Sequence, residues 1–234
     1  IIINIDRGSG TSEIEFKTSE DLKKLFYPRK DYRYIFDTDK FLILGEKGVG
    51  KTALFSVLSH REYAINLAEF CGVNHNEMAN KKWVIGLDKD KSTSPSKEHF
   101  ESLNKFTIAQ MRYYWMILLI RQIEPDLIQE SFLKSEIKNS KIKDLRDIAI
   151  RPNIGEELFE LLEQTDQNLI TANETLIFVY DHLDAILSNE GELRGKLISA
   201  LLTFFYDNIV RLSNIKAKIF LRQDIFDREV NDIN

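Results

Sequence analysis

The sequence predicts an α/β fold of three layers, in which helices cover both faces of a parallel sheet. Two observations support this prediction. Short apolar runs, typical of buried strands, alternate with stretches whose apolar residues recur at helical spacing. Alternation of this kind implies right-handed crossovers between parallel strands. A chain of 234 residues is long enough for one large α/β domain or for a domain that carries an insertion.

The first predicted strand leads directly into a glycine-rich turn. Residues 41–44 are a short apolar run, and GEKGVGKT over 45–52 fits the pattern G-x-x-x-x-G-K-[ST]. Apolar residues recur at helical spacing from Leu54 onward, so a helix is predicted to begin near Lys51. Successive backbone amides of such a loop point inward at the helix N-terminus, where they bind anions. The stretch therefore predicts a phosphate-binding loop, and with it a P-loop NTPase fold.

The predicted nucleotide-binding residues are consecutive in the loop. Lys51 is expected to reach the β- and γ-phosphates of ATP, and the Thr52 hydroxyl is expected to hold Mg²⁺. The loop glycines allow backbone conformations and close approaches that a Cβ atom would block. The predicted set is Gly45, Glu46, Lys47, Gly48, Val49, Gly50, Lys51, Thr52 and Ala53.

Further predicted elements follow the loop in alternating order. A second strand is predicted over 82–88, and the sequence STSPS over 92–96 favours a turn. The loop and the clearest later strand, over 175–181, are separated by more chain than one crossover needs. The predicted organisation is a lead-in segment over 1–40 with a short helix after Ser19, a P-loop ATPase core over 41–89 and 171–234, and a helical insertion over 90–170.

The apolar residues of the predicted insertion favour buried helices rather than a membrane span. Residues from Leu103 to Ile120 recur on one face of a helix that is predicted to end before Pro125. Its most apolar run, Tyr113 to Ile120, is far too short to cross a bilayer. The lysines that follow are predicted to form a solvated surface, with a nucleic-acid footprint as the alternative; they are Lys134, Lys138, Lys141 and Lys143.

Composition narrows the classes of function. Charged residues make up 29% of the chain and hydrophobic residues 43%, a globular balance. A net charge of −5 argues against a wholly basic nucleic-acid binder, although it leaves room for a local basic patch. The single cysteine, Cys71, excludes an internal disulfide and fits a packed thiol in a reducing cytoplasm. Because the sequence begins at Ile1 without a methionine, we expect a piece of a longer cytoplasmic protein.

The strand predicted over 175–181 delivers an acidic residue at its carboxyl end. Asp181 follows the apolar run LIFVY, and a carboxylate in this position can help to hold Mg²⁺. Asp184 lies one helical turn further on and is predicted to orient the attacking water. His182 is the weaker candidate, because an extended backbone would turn its side chain away from Asp181. Both residues can instead be structural, as a capping acid and a packed imidazole.

The last predicted strand ends in an arginine. KAKIFLR over 216–222 places Arg222 at the strand's exit, where a guanidinium can sense the γ-phosphate and stabilise charge in the transition state. A surface ion pair with Asp224 is the alternative interpretation. The predicted catalytic residues are therefore Lys51, Asp184 and Arg222, and the predicted metal-binding residues are Thr52 and Asp181.

Three motifs together resemble a known family of ATPases. GEKGVGKTALF, LIFVYDHLDAIL and KIFLRQDIF, in this order, resemble the STAND and KAP-like, NACHT-related branch of AAA+-type P-loop ATPases. At the position of His182, NACHT sequences prefer a small residue and KAP-like sequences a second aspartate. The resemblance covers residues 20–228 loosely. It implies an ATP-dependent regulatory switch in a larger bacterial protein, assembly as a homo-oligomer or with an effector protein, and, as in many relatives, antiphage defence.

Two other functions stay open at this level. A nucleic-acid-associated AAA+ motor or loader shares the same core, although the chain shows no basic stripe. A catalytically degenerate scaffold, which binds ATP without turnover, is the third possibility because of His182. A GTPase is disfavoured, since its Asp-x-x-Gly motif would require glycine where Asp184 stands and no Asn-Lys-x-Asp sequence occurs.

Overall fold

A five-stranded parallel sheet forms the centre of the computed structural model, which describes residues 2–5, 28–87, 94–186 and 191–230. Within these residues the order of strands in the sheet is β1-β2-β5-β4-β3. The α/β class with a parallel sheet is therefore confirmed, whereas the short helix predicted after Ser19 lies outside the described residues. The strands are β1 (Ile2–Ile5), β2 (Leu42–Gly45), β3 (Lys81–Ile85), β4 (Thr175–Tyr180) and β5 (Ile215–Arg222).

Helices occupy the connections between the strands. Those between β2 and β3 are α1 (Lys51–Leu58), α2 (Arg61–Phe70) and α3 (His75–Ala79). Those between β3 and β4 are α4 (Lys97–Glu101), α5 (Ile108–Gln122), α6 (Phe132–Asn139), α7 (Leu145–Ala149) and α8 (Ile154–Ala172). The later ones are α9 (Leu183–Ile186), α10 (Gly191–Asn208) and α11 (Gln223–Glu229). Short 3₁₀ helices lie at Lys30–Phe36, Pro125–Leu127 and Ile142–Asp144.

The path of the chain along the sheet decides which face each helix covers. From β2 the chain crosses to the far edge at β3, and it then returns through β4 to β5. Right-handed crossovers place the helices of the outward and return paths on opposite faces. The Lys30–Phe36 helix and α1 to α3 pack on one face, which we call the thin layer. Helices α4 to α8 and α10 pack on the other face, which we call the thick layer.

Alternation of side chains along the strands agrees with these two layers. Ile43, Val179 and Phe220 pack with the thin layer. Leu42 and Leu44, the neighbours of Ile43, pack instead with the thick layer, because successive side chains of a strand point to opposite faces. Both faces are covered, which explains why β2 and β4 have continuous apolar sequences.

The thick layer is built around aromatic side chains on α5. The Trp115 ring lies 5.7 Å from the Phe100 ring and 6.0 Å from the Tyr180 ring, measured between centroids. Its indole Nε1 donates a hydrogen bond to the carbonyl of Leu197 on α10 at 2.9 Å. The run from Tyr114 to Ile120 is buried, as expected for a core helix. No helix in the described part of the chain combines the length and hydropathy that a transmembrane span requires.

The prediction of one continuous helix from Leu103 onward is wrong. Helix α5 begins only at Ile108, after a turn that separates it from α4. The Thr107 hydroxyl accepts a hydrogen bond from the Gln110 amide at 3.2 Å, and the Gln110 side chain accepts one from the Thr107 amide at 3.0 Å. This reciprocal cap starts a new helix.

Of the lysines predicted to be solvated, Lys134 is buried and Lys138 is half-buried. Lys134 is only 4% exposed, and its ammonium donates to carbonyls in the loop after α5. The Lys138 ammonium donates to the carbonyl of Arg121 at 2.8 Å, in the last turn of α5. Lys138 therefore satisfies a carbonyl that the end of α5 leaves without an intrahelical partner, and Lys134 holds the loop that follows the helix. Lys141 and Lys143 are exposed, as predicted.

Residues of the predicted lead-in segment belong to the sheet and to the thin layer. Strand β1, for which the sequence predicts no strand, pairs in parallel with β2. The Lys30–Phe36 helix buries Tyr32 and Ile35 against the thin layer. Cys71 is buried in the same layer, as predicted for a packed thiol, and its Sγ donates to the carbonyl of Arg29 at 3.3 Å.

Candidate functional site

The predicted site residues lie at the carboxyl ends of three adjacent strands, β2, β5 and β4. Arg222, the last residue of β5, is paired in register with Gly45, the first residue of the glycine loop. Asp181 directly follows β4 on the other side of β5. The chain leaves β2 toward one edge of the sheet and reaches β5 from that same edge. In open α/β sheets, ligands bind outside the carboxyl ends of the strands at such a change of direction.

The glycine loop leaves open space in front of its backbone. Gly48 and Gly50 have φ angles of +83° and +93°, which side chains other than glycine rarely adopt. A Cβ atom at either position would have no neighbouring atom within 4 Å. The Val49 side chain is only 5% exposed and packs into the thin layer, so it anchors the loop and leaves only its backbone for a ligand.

Helix α1 begins at the end of this loop. Its N-cap residue is Gly50, and no side chain of the described residues caps its first amides. Those amides carry the positive end of the helix dipole. Thr52 and Ala53 lie in the first turn and are half-buried, whereas Glu46 and Lys47 are exposed. The start of α1 therefore offers uncapped amide donors to an anion in front of the loop.

Lys51 is enclosed by the loop that precedes it. Its ammonium donates to the carbonyl of Gly45 at 2.8 Å and to the carbonyl of Glu46 at 2.7 Å. Burial lowers the pKa of this ammonium, while the negative charges of Asp181 and Asp184 oppose that shift. The lysine charge therefore lies between the loop and the acidic residues of the next strands.

Asp181 is a buried carboxylate with an incomplete set of hydrogen bonds. The residue is 7% exposed, and its Oδ2 atom has no hydrogen-bond partner among the residues that the structure describes. Burial raises the pKa of the carboxyl; the charge of His182, the His182 backbone amide and a hydrogen bond from the Thr52 side chain act in the opposite direction. A buried polar atom without a partner destabilises the folded chain, and a cation or a hydrogen-bond donor at Oδ2 would relieve this.

The expectation that His182 turns away from Asp181 is wrong. His182 has a φ angle of +57°, so the backbone leaves the extended conformation directly after Asp181. The alternation on which the expectation relied therefore does not apply. The Nε2 atom of His182 lies 3.5 Å from Oδ2 of Asp181, although the two atoms form no hydrogen bond.

Asp184 and Arg222 contact each other across the site. Asp184 lies in the first turn of α9, and its Oδ2 atom is 3.6 Å from Nη1 of Arg222. Arg222 also donates two hydrogen bonds to Asp224, at 3.0 Å from Nε and at 2.7 Å from Nη2. These bonds raise the pKa of Arg222 and lower that of Asp224. The surface pair with Asp224 is therefore present, and it coexists with a contact to the predicted water-orienting acid.

The structure adds three residues that sequence reasoning did not assign to the site. Asp224 holds Arg222, and Arg194 and Glu229 form an ion pair behind Asp184. Arg194 carried a signal in the sequence, because it is a charged residue three positions before Leu197 on the apolar side of α10. A charge on a buried helix face requires a partner.

The donor set fits Mg²⁺ only together with a ligand that supplies oxygens. Among the described residues there is no group of three or more His, Cys, Asp or Glu side chains that could hold a metal ion. In phosphoryl-transfer sites Mg²⁺ is usually bound by one or two protein groups and by phosphate oxygens. The Thr52 hydroxyl and the unpartnered Oδ2 of Asp181 are suitable for this role.

The site combines an anion-binding loop with a buried carboxylate, one oxygen of which has no hydrogen-bond partner among the described residues. This combination suits an anion that arrives with a divalent cation. Comparison of the chain with family models, with curated proteins and with solved structures finds no match. Its function is therefore inferred from the site itself.

Proposed function

We propose that this chain binds Mg²⁺·ATP at the glycine loop and hydrolyses it to ADP and phosphate. The observation that carries the proposal is the buried Asp181, at the end of the strand next but one to the loop strand. Within the described part of the chain its Oδ2 atom has no hydrogen-bond partner. A loop alone binds an anion. A loop with an unpartnered carboxylate near the Thr52 hydroxyl binds a phosphate that carries a metal ion.

The loop residues bind the phosphates in this proposal. The open space in front of Gly48 and Gly50 admits phosphate oxygens close to the backbone, and the uncapped amides of α1 donate to them. The Lys51 ammonium, now bonded to two loop carbonyls, is in reach to exchange them for phosphate oxygens. Thr52 and Asp181 would hold Mg²⁺, which, when bound, neutralises phosphate charge and orients the phosphate oxygens.

The remaining charged residues assist hydrolysis. The Asp184 carboxylate accepts a hydrogen bond from the attacking water and receives its proton as the water oxygen bonds to the γ-phosphorus. The bond between the γ-phosphorus and the bridging oxygen breaks in the same step, and ADP leaves with that oxygen. Arg222 belongs to the same chain as the loop and lies beside Gly45, so it can stabilise charge on the γ-phosphate without a second subunit. His182 stays next to Asp181, and its backbone amide donates a hydrogen bond that stabilises the carboxylate.

We further propose that the chain is a regulatory ATPase of the STAND and KAP-like, AAA+-related type. The order of the three motifs supports this, and so does the placement of Arg222, which links the phosphate region to a helix that follows in the chain. In this proposal ATP binding switches a larger bacterial protein between states, as a homo-oligomer or with an effector protein. Antiphage defence is the role that the resemblance favours.

The test compares the enclosed lysine of the loop with an exposed lysine outside the site. Lys51→Ala removes the enclosed ammonium and should weaken Mg²⁺·ATP binding by about 100-fold or more, a loss of about 2.7 kcal/mol. Lys143→Ala removes an exposed lysine from the Ile142–Asp144 segment and should leave the affinity nearly unchanged. Both affinities are measured by calorimetric titration, with circular dichroism to show that each variant is folded. Equal affinities in the two variants would contradict the phosphate-loop assignment.

A further inference from the structure

A buried ion pair joins α10 to the last described helix, α11. The Arg194 and Glu229 side chains are only 9% and 8% exposed. Nε of Arg194 donates to Oε2 of Glu229 at 2.7 Å, and Nη2 donates to Oε1. Two parallel hydrogen bonds between a planar guanidinium and a carboxylate fix the relative orientation of both side chains. The pair therefore sets how α11 lies against α10.

The same guanidinium also reaches the candidate site. Nη1 of Arg194 donates to the backbone carbonyl of Asp184 at 3.1 Å. The carboxylate of Asp184 is in turn 3.6 Å from Arg222. One buried side chain thus touches both the turn that carries the proposed water-orienting acid and the end of α11.

Contacts at both ends of α11 lead back to Asp184, and we call this closed set of contacts the ring. The helix starts directly after Arg222 and carries Asp224, the hydrogen-bond partner of Arg222, in its first turn. It ends at Glu229, the partner of Arg194. Its start is therefore tied to Asp184 through Arg222, and its end is tied to Asp184 through Arg194.

The ring is also closely packed. A Cβ atom at Gly195 would lie 2.5 Å from the Glu229 carbonyl oxygen, so α10 and α11 approach more closely there than a side chain would allow. Removal of one partner from a buried ion pair leaves an uncompensated charge, which strongly destabilises that arrangement. Little free space is therefore left between α10 and the end of α11.

We propose that Arg194 and Glu229 are positioning residues that couple occupancy of the phosphate site to the placement of α11. The inference rests on the proposed nucleotide site. A phosphate that draws Arg222 toward itself changes the contacts of Arg222 with Asp184 and Asp224. The two parallel hydrogen bonds from Arg194 carry this change to Glu229, so that α11 is held differently when nucleotide is bound. Helix α11 is then the element that reports the nucleotide state to a partner.

The experiment measures amide hydrogen exchange in α11, with and without Mg²⁺ and a non-hydrolysable ATP analogue. In the unaltered chain the analogue should change the exchange rate of α11. Glu229→Gln keeps the size of the side chain but removes the negative charge that Arg194 binds, and should abolish that nucleotide-dependent change. Its affinity for Mg²⁺·ATP should stay within about tenfold, or 1.4 kcal/mol. Arg194→Lys keeps the positive charge but cannot form the two parallel hydrogen bonds, and should behave like Glu229→Gln.

Glu136→Gln is the matched control. Glu136 accepts two hydrogen bonds from Arg151, at 2.7 and 2.5 Å, and neither residue contacts the ring. This variant should keep the full response of α11. A response that survives in both Glu229→Gln and Arg194→Lys would overturn the coupling, as would an unaltered chain that binds nucleotide without any change in α11. If calorimetry shows no nucleotide binding by the unaltered chain, the proposed function itself fails and the coupling falls with it.

Discussion

Strand β5 and the end of strand β4 each hold a buried charged residue. Among the described residues, the fold supplies a hydrogen-bond partner to every polar side-chain atom of only one of these two residues. In the interior of β5, Lys218 is fully buried, and its ammonium donates to the carbonyls of Asp37 and Lys40 in the segment before β2. At the end of β4, Asp181 is almost as enclosed, yet no described residue forms a hydrogen bond with its Oδ2 atom. The two strands are neighbours, so the difference does not arise from depth in the fold.

The difference shows how structural charges can be told from functional ones. A buried polar atom without a partner destabilises a fold by about 1–3 kcal/mol. Lys218 and Lys134 avoid this penalty because nearby carbonyls accept their hydrogen bonds, and so they hold segments of chain in place. Asp181 keeps this unfavourable free energy at the carboxyl ends of the strands, where the glycine loop also lies. A ligand that supplies the missing partner would recover it, which is the behaviour expected of a binding site.

The largest effect is expected for the acid that faces Arg222. Asp184→Asn should keep Mg²⁺·ATP binding but slow hydrolysis by about 10²–10⁴-fold, because the amide cannot accept the proton of the attacking water. His182→Ala should retain hydrolysis within about tenfold, or roughly 1.4 kcal/mol in the barrier. Single-turnover hydrolysis of both variants makes the comparison. Normal hydrolysis by the first variant with none by the second would reverse the two roles, and no hydrolysis by the unaltered chain would favour the scaffold interpretation.

A smaller effect is expected for Asp181, where one substitution should raise the stability of the nucleotide-free chain and weaken nucleotide binding. Asp181→Asn removes a buried charge that the nucleotide-free chain does not complete, so its free energy of unfolding should rise, by on the order of 1 kcal/mol. The same change should weaken Mg²⁺-dependent nucleotide binding by about 10- to 100-fold. Urea denaturation without nucleotide and titration with and without Mg²⁺ measure the two effects. A variant that is less stable and binds normally would place Asp181 among the structural charges.

Lys218 should control stability through pH rather than through a ligand. Burial lowers the pKa of its ammonium to about 7, from an ordinary value of 10.5. Between these values the unfolded chain binds a proton that the folded chain does not. The free energy of unfolding should therefore rise with pH across that range, by up to about 1.4 kcal/mol per pH unit, and the contribution is lost as the pH falls through 7.

Urea denaturation of the Lys218→Met variant between about pH 7 and pH 9 tests this expectation. The unaltered chain should gain stability relative to the variant as the pH rises across that interval. Lys143→Met, which replaces an exposed lysine, serves as the control and should follow the unaltered chain. Parallel curves for Lys218→Met and the unaltered chain would show that this ammonium keeps its ordinary pKa.

The smallest effect on stability is expected at the end of the strand that contains Lys218. The Arg222 side chain is 32% exposed and its partner Asp224 is 52% exposed. Arg222→Ala should therefore change the free energy of unfolding by only about 0–1 kcal/mol, while it slows hydrolysis or uncouples nucleotide binding from assembly. Denaturation and turnover are measured on the same preparation. Unchanged turnover together with unchanged assembly would leave Arg222 as a surface ion pair.

The local elements of the fold are readable from the sequence. Strands predicted over 41–44, 175–181 and 216–222 are found as β2, β4 and β5 within one residue at either end. The start of α1 at Lys51 is also as predicted. These features depend on neighbouring residues, since a strand covered on both faces is continuously apolar and a glycine loop marks the start of its helix.

The contacts between distant residues were decided only by the tertiary structure. Nothing local places β5 between β2 and β4, and this order is what brings Arg222 beside Gly45. The left-handed backbone at His182 overrides strand alternation, and the Arg194–Glu229 pair joins residues 35 positions apart in the sequence. A sequence shows which charges are present. Whether a buried charge finds a partner depends on groups that only the folded chain brings near it, and that is what separates Lys218 from Asp181.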